Sequence, residues 1–158
     1  IRAARLDPNS ATAWGSLADV AMRQNTLSLA LQHIAKARQL EPTSVAWRLI
    51  ECRALARSGE PGKGVELLVT LDDSLRFQRP VLQQITECYG LMSKPDDAAA
   101  ICGKASDSSP TDPALAMQAA EWFEKAKQHD SAMVYASRAA ELGVAGAIEL
   151  MMRVQGER

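Results

Sequence analysis

Aromatic residues are scarce in this sequence: three Trp, two Tyr and two Phe among 158 residues, or 4%. The β-branched residues are scattered and nowhere alternate over a strand's length, so a sheet-built core is excluded. Charge of one sign is also lacking, with 18 basic against 19 acidic residues and a net charge of −1. A non-specific nucleic-acid binder carries a basic excess or stripe, and neither is present; no nucleic-acid partner is expected. No apolar run approaches the ~20 residues a bilayer span requires, so no membrane insertion is expected. Cys52, Cys88 and Cys102 are odd in number and form no CxxC pair, which argues against a disulfide scaffold. That leaves the compartment open between cytoplasm and periplasm. A signal peptide is missing too, but the chain begins at Ile1 without Met and reads as a piece of a longer protein.

Motifs of catalysis are equally absent. The sequence has no GxGxxG, no GxxxxGK[ST] and no GxSxG. Gly59-Glu60-Pro61-Gly62-Lys63-Gly64 is glycine-rich, but it reads as a turn between helices without the preceding strand of a phosphate loop. His33 and His129 stand singly, with no carboxylate or cysteine at metal-ligand spacing. Asp72-Asp73 and Asp96-Asp97 sit at turns beside helix starts, where acids complement the macrodipole. No catalytic residue, metal ligand or cofactor follows from the sequence.

What is present is a period. Residues 11–44 contain Trp14-x2-Leu17-Ala18-x2-Ala21, then Ala30-x3-Ile34, then Pro42, and the pattern returns at 45–78, 79–112 and 113–146 with no insertion. One column of that alignment holds Ala18, Cys52, Thr86 and Ala120; a second holds Ala30, Gly64, Ala98 and Ala132; a third holds Ala37, Leu71, Ala105 and Ala139. Larger residues run between them, as Ala21, Leu55, Tyr89 and Phe123, and as Ile34, Leu68, Cys102 and Ala136. Small residues at one spot on each of two helices let the axes approach, and larger ones fill around the crossing. Cys52 and Cys102 lie in these columns and read as small core hydrophobes. The columns resemble those of the tetratricopeptide repeat, a 34-residue helix–turn–helix unit. The resemblance covers essentially the whole chain. It implies an all-α fold, a right-handed α-α superhelix or solenoid of helix pairs.

In chain order, residues 1–10 read as the end of a preceding repeat, with Ala3 and Leu6 one period before Ala37 and Leu40. Proline in Asp7-Pro8-Asn9-Ser10, Glu41-Pro42-Thr43-Ser44 and Ser109-Pro110-Thr111-Asp112 stops one helix, and the Ser or Asp after it is placed to cap the next. The first unit is expected to pair helices at about 11–24 and 28–40. In the second unit strict register puts Arg48 and Glu51 where Trp14 and Leu17 stood. A one-residue slip, placing Trp47, Ile50 and Ala54 on the packing face, avoids burying two unpaired charges. Residues 147–155 read as a further helix, either a cap on the last repeat or the start of a fifth unit.

By the resemblance, the first helix of each pair lines a concave surface that takes an extended peptide or a partner's helix. The implied contact residues are Asp19, Met22 and Arg23, then Arg53 and Arg57, then Gln83, Gln84 and Glu87, and finally Met117, Gln118, Glu121 and Glu124. The basic and acidic ends of that series would orient a dipolar ligand. Chaperone-binding members of the family clamp a terminal carboxylate with Lys, Asn and Arg. Here the only asparagines are Asn9 and Asn25, which argues against recognition of Hsp70 or Hsp90 tails. The expected function is therefore a protein-interaction scaffold with a protein or peptide ligand. Two others stay open: a non-catalytic arm of a larger enzyme such as a transferase, and a spacer or self-association segment, through the terminal helices, of a bacterial envelope or polysaccharide-export solenoid.

Overall fold

The computed structural model describes residues 7–158, and every regular element among them is a helix. The expected end of a preceding repeat, Ile1–Leu6, lies outside the described residues. Five helices, α1 (Ala11–Arg23), α3 (Val45–Arg57), α6 (Arg79–Leu91), α8 (Pro113–Lys125) and α10 (Ala147–Gly156), begin at intervals of 34 residues. Four more, α2 (Leu27–Leu40), α4 (Pro61–Val69), α7 (Pro95–Ser108) and α9 (His129–Glu141), start 34 residues apart in their turn. A short helix, α5 (Asp73–Arg76), stands outside both series.

Helix ends follow from local chemistry. Ser10 accepts from the Ala13 N–H at 3.2 Å, and Asp112 from the Ala114 and Leu115 N–H groups at 2.9 and 3.2 Å. Each satisfies donors that an α-helix leaves free in its first turn. Ser44 occupies the same place without a side-chain cap bond. Pro61, Pro95 and Pro113 stand at helix starts, where a missing N–H costs nothing. One left-handed residue follows each of α1, α3, α6 and α8 at a 34-residue interval: Asn25, Gly59, Ser93 and Lys127. In three of these turns the next N–H reaches back to a carbonyl of the first helix at 2.9 Å, from Thr26 to Ala21, Glu60 to Leu55 and Gln128 to Phe123. That bond is what a left-handed residue at a helix end makes possible.

The chain divides between Met92 and Ser93 into two compact units. In the first, each helix packs on the next (α1–α2, α2–α3, α3–α4, α4–α6), and the first helices touch each other as well (α1–α3, α3–α6). In the second unit α7 packs on α8, α8 on α9, and α10 on both α9 and α8. Alanine fills the crossings: Ala18, Ala30, Ala37, Ala98, Ala105, Ala120, Ala132 and Ala139 are all fully buried. At Gly64 a Cβ would lie 2.9 Å from the Cys52 carbonyl oxygen, so here even alanine is too large. Gly15 is the socket for the Trp47 ring.

Two expectations are corrected. Helix starts keep the 34-residue spacing through the second pair, so α3 contains no slip. Trp47, Ile50 and Ala54 do pack inward, while Cys52 fills its column in strict register. Arg48 and Glu51 are half-buried but paired: Glu51 with Arg38, and Arg48 with the Leu67 carbonyl at 3.5 Å. Pairing removes the penalty that a slip would have avoided. The third small column also fails at Leu71, because α4 ends at Val69 and Leu71 stands in the turn before α5.

Candidate functional site

The contact between α3 and α6 opens into a pocket of about 370 Å³ lined by Arg53, Ala56, Arg57, Gln84, Glu87 and Leu91. Residues 53, 56 and 57 share one face of α3, and 84, 87 and 91 share one face of α6, because helical neighbours recur every three or four positions. Four of the six, Arg53, Arg57, Gln84 and Glu87, are residues that the sequence assigned to a ligand-facing surface. Arg53 Nε reaches across to Gln84 Oε1 at 3.5 Å. Arg57 is held harder: it donates to the Met22 carbonyl and to Asn25 Oδ1, both at 3.0 Å, and so closes the C-terminal end of α1. Gln84 is 4% exposed and forms the floor. Leu91, 59% exposed, supplies an apolar rim. Ala56 and Leu91 were missed in the sequence, although Leu91 lies one turn beyond Glu87 on the same face.

The other candidates of the first unit fall elsewhere. Asp19 and Arg23 pair with each other along α1. Gln83 is exposed on α6 and does not line the pocket. Met22 is a correction: it is 5% exposed and packed with Ala21, Ala30 and Ala54, so its side chain belongs to the core.

In the second unit, Met117 is half-buried between two core clusters, one around Ala120, Ala132 and Leu150, the other around Ala116, Ala139 and Ala147. Glu124 accepts two hydrogen bonds from Arg153 of α10 at 2.9 and 3.0 Å and is thereby engaged within the fold. Gln118 is half-buried and Glu121 exposed. A second cavity, of about 550 Å³, lies at the start of α9 between Lys127, Gln128, His129, Asp130, Ser131, Glu157 and Arg158. Its charges already pair, Lys127 with Glu157 at 2.9 Å and Arg158 with Asp130. The Lys127 ammonium holds the Glu157 carboxyl below the usual carboxylate range.

The α3–α6 pocket therefore combines guanidinium donors, one carboxylate, one amide with both donor and acceptor, and an apolar edge. Such a set can hold a peptide backbone and one apolar side chain. Among the described residues no group of three or more His, Cys, Asp or Glu could hold a metal ion, and no helix is long and apolar enough to cross a membrane.

No family model matches the sequence, and no curated protein matches it. Solved structures do match. The Pseudomonas aeruginosa pilF protein is similar with a TM-score of 0.69 at 21% identity, over 97% of this chain and 71% of that one. YrrB, a TPR protein with an unusual peptide-binding site, is similar with a TM-score of 0.68 at 12% identity, over 99% and 81%. TTC0263, a thermophilic TPR protein of Thermus thermophilus, gives 0.60 at 17% identity, over 98% and 84%. At such identities the likeness is one of fold. With its stacked pairs and 34-residue helix spacing, the chain has the all-α tetratricopeptide-repeat fold.

Proposed function

We propose that this chain is a protein-interaction module that binds a peptide or partner helix against its first helices, with the α3–α6 pocket as an anchoring point. The observation that carries this reading is the convergence of Arg53, Arg57, Gln84 and Glu87 with an exposed Leu91 around one pocket. Tetratricopeptide repeats are generally protein–protein interaction modules rather than catalysts, and YrrB, similar in fold, has a peptide-binding site. In the pocket a ligand's backbone would bond Gln84 and Arg53, and an apolar side chain would cover Leu91 and Ala56. Burying one such side chain contributes about 1.5–3 kcal/mol, enough to fix register along an otherwise polar contact.

The test is affinity capture from the source organism's lysate, read by mass spectrometry, with the parent beside an Arg53→Glu, Glu87→Lys variant. Arg57 is left alone because it holds the end of α1. Circular dichroism checks that the variant remains helical. The expected result is a partner captured by the parent and lost by the variant. A partner kept by both would refute the pocket as anchor and move the contact to another surface, of which the α10 face bearing exposed Ile148 and Met152 is the foremost. Capture by neither would overturn the module reading.

A further inference from the structure

Cys52 of α3 and Cys88 of α6 face each other where these helices meet, with Sγ atoms 3.5 Å apart and both side chains fully buried. Cys102, in the second unit, fits the reading of a core hydrophobe: it is buried, and burial pushes its thiol up to about 12. The pair is different, because two sulfurs already touch. A disulfide joins sulfurs at about 2.0 Å, so roughly 1.5 Å remains to be closed, within the 1–2 Å by which packed helices shift. We infer that Cys52 and Cys88 form a reversible dithiol–disulfide site, oxidised by small peroxides and reduced by thiols, that cross-links α3 to α6.

The two sulfurs have distinct parts. The contact with Cys52, helped by the Gln84 amide, holds the Cys88 thiol below its ordinary range, while the same contact and burial push Cys52 up. Cys88 is also the sulfur beside the Gln84 amide that lines the pocket, and it is the one that ionises and attacks. Access runs through the α3–α6 pocket. Gln84 Nε2 lies 4.0 Å from Cys88 Sγ and its Oε1 lies 3.5 Å from Arg53 Nε, so this one side chain covers the sulfur from the cavity. In the first step the Cys88 thiolate attacks a peroxide oxygen; the S–O bond forms, the O–O bond breaks, and hydroxide leaves and takes up a proton as water. In the second step the Cys52 sulfur attacks Cys88; the S–S bond forms, the S–O bond breaks, and the hydroxyl leaves with the Cys52 proton as a second water. The sum is two thiols and one hydrogen peroxide to one disulfide and two waters. The site stands independently of the proposed ligand.

The experiment treats the native protein with a slight excess of hydrogen peroxide and then counts free thiols in denaturant. The expected count falls from three to one, the intact mass drops by two hydrogen atoms, dithiothreitol restores both, and the oxidised form melts several degrees higher. Gln84→Ala is expected to speed the reaction several-fold. In Cys52→Ala the Cys88 sulfenic acid should persist and be trapped by dimedone. The inference fails if the parent keeps three thiols, if Cys88 gains oxygen without a link, or if the link engages Cys102 or a second molecule. The parent alone decides these outcomes, whether or not a variant folds.

Discussion

Glycine and alanine at the helix crossings set how closely α3, α4 and their equivalents approach, and they make the core intolerant of added atoms. At Gly64 the obstacle to a Cβ is the Cys52 backbone at 2.9 Å and not a side chain that could swing aside. Gly64→Ala is therefore expected to cost about 1–3 kcal/mol by overpacking, outweighing the gain of up to about 1 kcal/mol that alanine brings to a helix interior. Urea denaturation with an unchanged m-value would measure it; a midpoint at or above the parent's would show that α3 and α4 can part freely. These crossing residues were legible in the sequence because a small side chain repeated every 34 residues has few other reasons to recur. Met22 was not. α1 is packed on α2 and on α3, so its buried face is broad and takes in Ala11, Gly15, Ala18, Ala21 and Met22. A period identifies the centre of such a face but not its edge, and Met22 lies at the edge. Arg57 shows what spacing leaves out: it lines the pocket as its position on α3 implies, but its guanidinium also bonds the Met22 carbonyl, 35 residues away.

Among the elements, the second pair departs most from the repeat. α4 has nine residues where α2 has 14, and the chain turns at Thr70-Leu71-Asp72 before the single turn of α5. Asp72 caps α5 through the Leu75 N–H at 3.1 Å, and Arg76 Nη1 returns to the Val69 carbonyl at 3.0 Å, closing the end that α4 leaves open. The sequence carried half of this signal, an Asp pair beside a helix start, but the 34-residue alignment overrode it by placing Leu71 in a packing column. The Ser74 hydroxyl and the Leu75 N–H hold the Asp72 carboxyl below its ordinary 3.8. The folded state then binds a proton less readily than the unfolded chain. The cap's contribution is fully present above 3.8 and is lost as pH falls below it toward the lower folded value. Amide exchange at Leu75 and Arg76 should accelerate over that interval, and Asp72→Asn, which still caps without titrating, should flatten the response. Exchange rates that follow only the intrinsic pH dependence in both proteins would show that the cap bond does not hold α5.

At the scale of the whole chain, the 34-residue spacing of helix starts was readable because turns, prolines and caps recur with the small columns. The division between Met92 and Ser93 was not, since the repeat pattern runs through it unchanged. For α10 the sequence offered a cap or the start of a fifth unit, but not the face it uses. Its apolar residues occur on two faces, and only packing decides which one is used. Ala147, Leu150 and Val154 are fully buried, the last two in one cluster with Ala120, Ala132 and Ala136, whereas Ile148 and Met152 are 60% and 66% exposed. Ending the chain at Gly146 would uncover that cluster and remove the Arg153–Glu124 pair. The expected loss is about 3–6 kcal/mol from the Leu150 and Val154 side chains, a large share of a stability of roughly 5–15 kcal/mol. Urea or thermal unfolding of the shortened chain measures it. Ile148→Ser with Met152→Ser should instead stay within about 0.5 kcal/mol of the parent, because neither side chain gives up core contacts. If the shortened chain kept the parent's midpoint, α8 and α9 would be stable without cover and the inner face of α10 would contribute nothing. If the serine variant fell as far as the truncation, the outer face would be buried in solution, and self-association through α10 would follow from it.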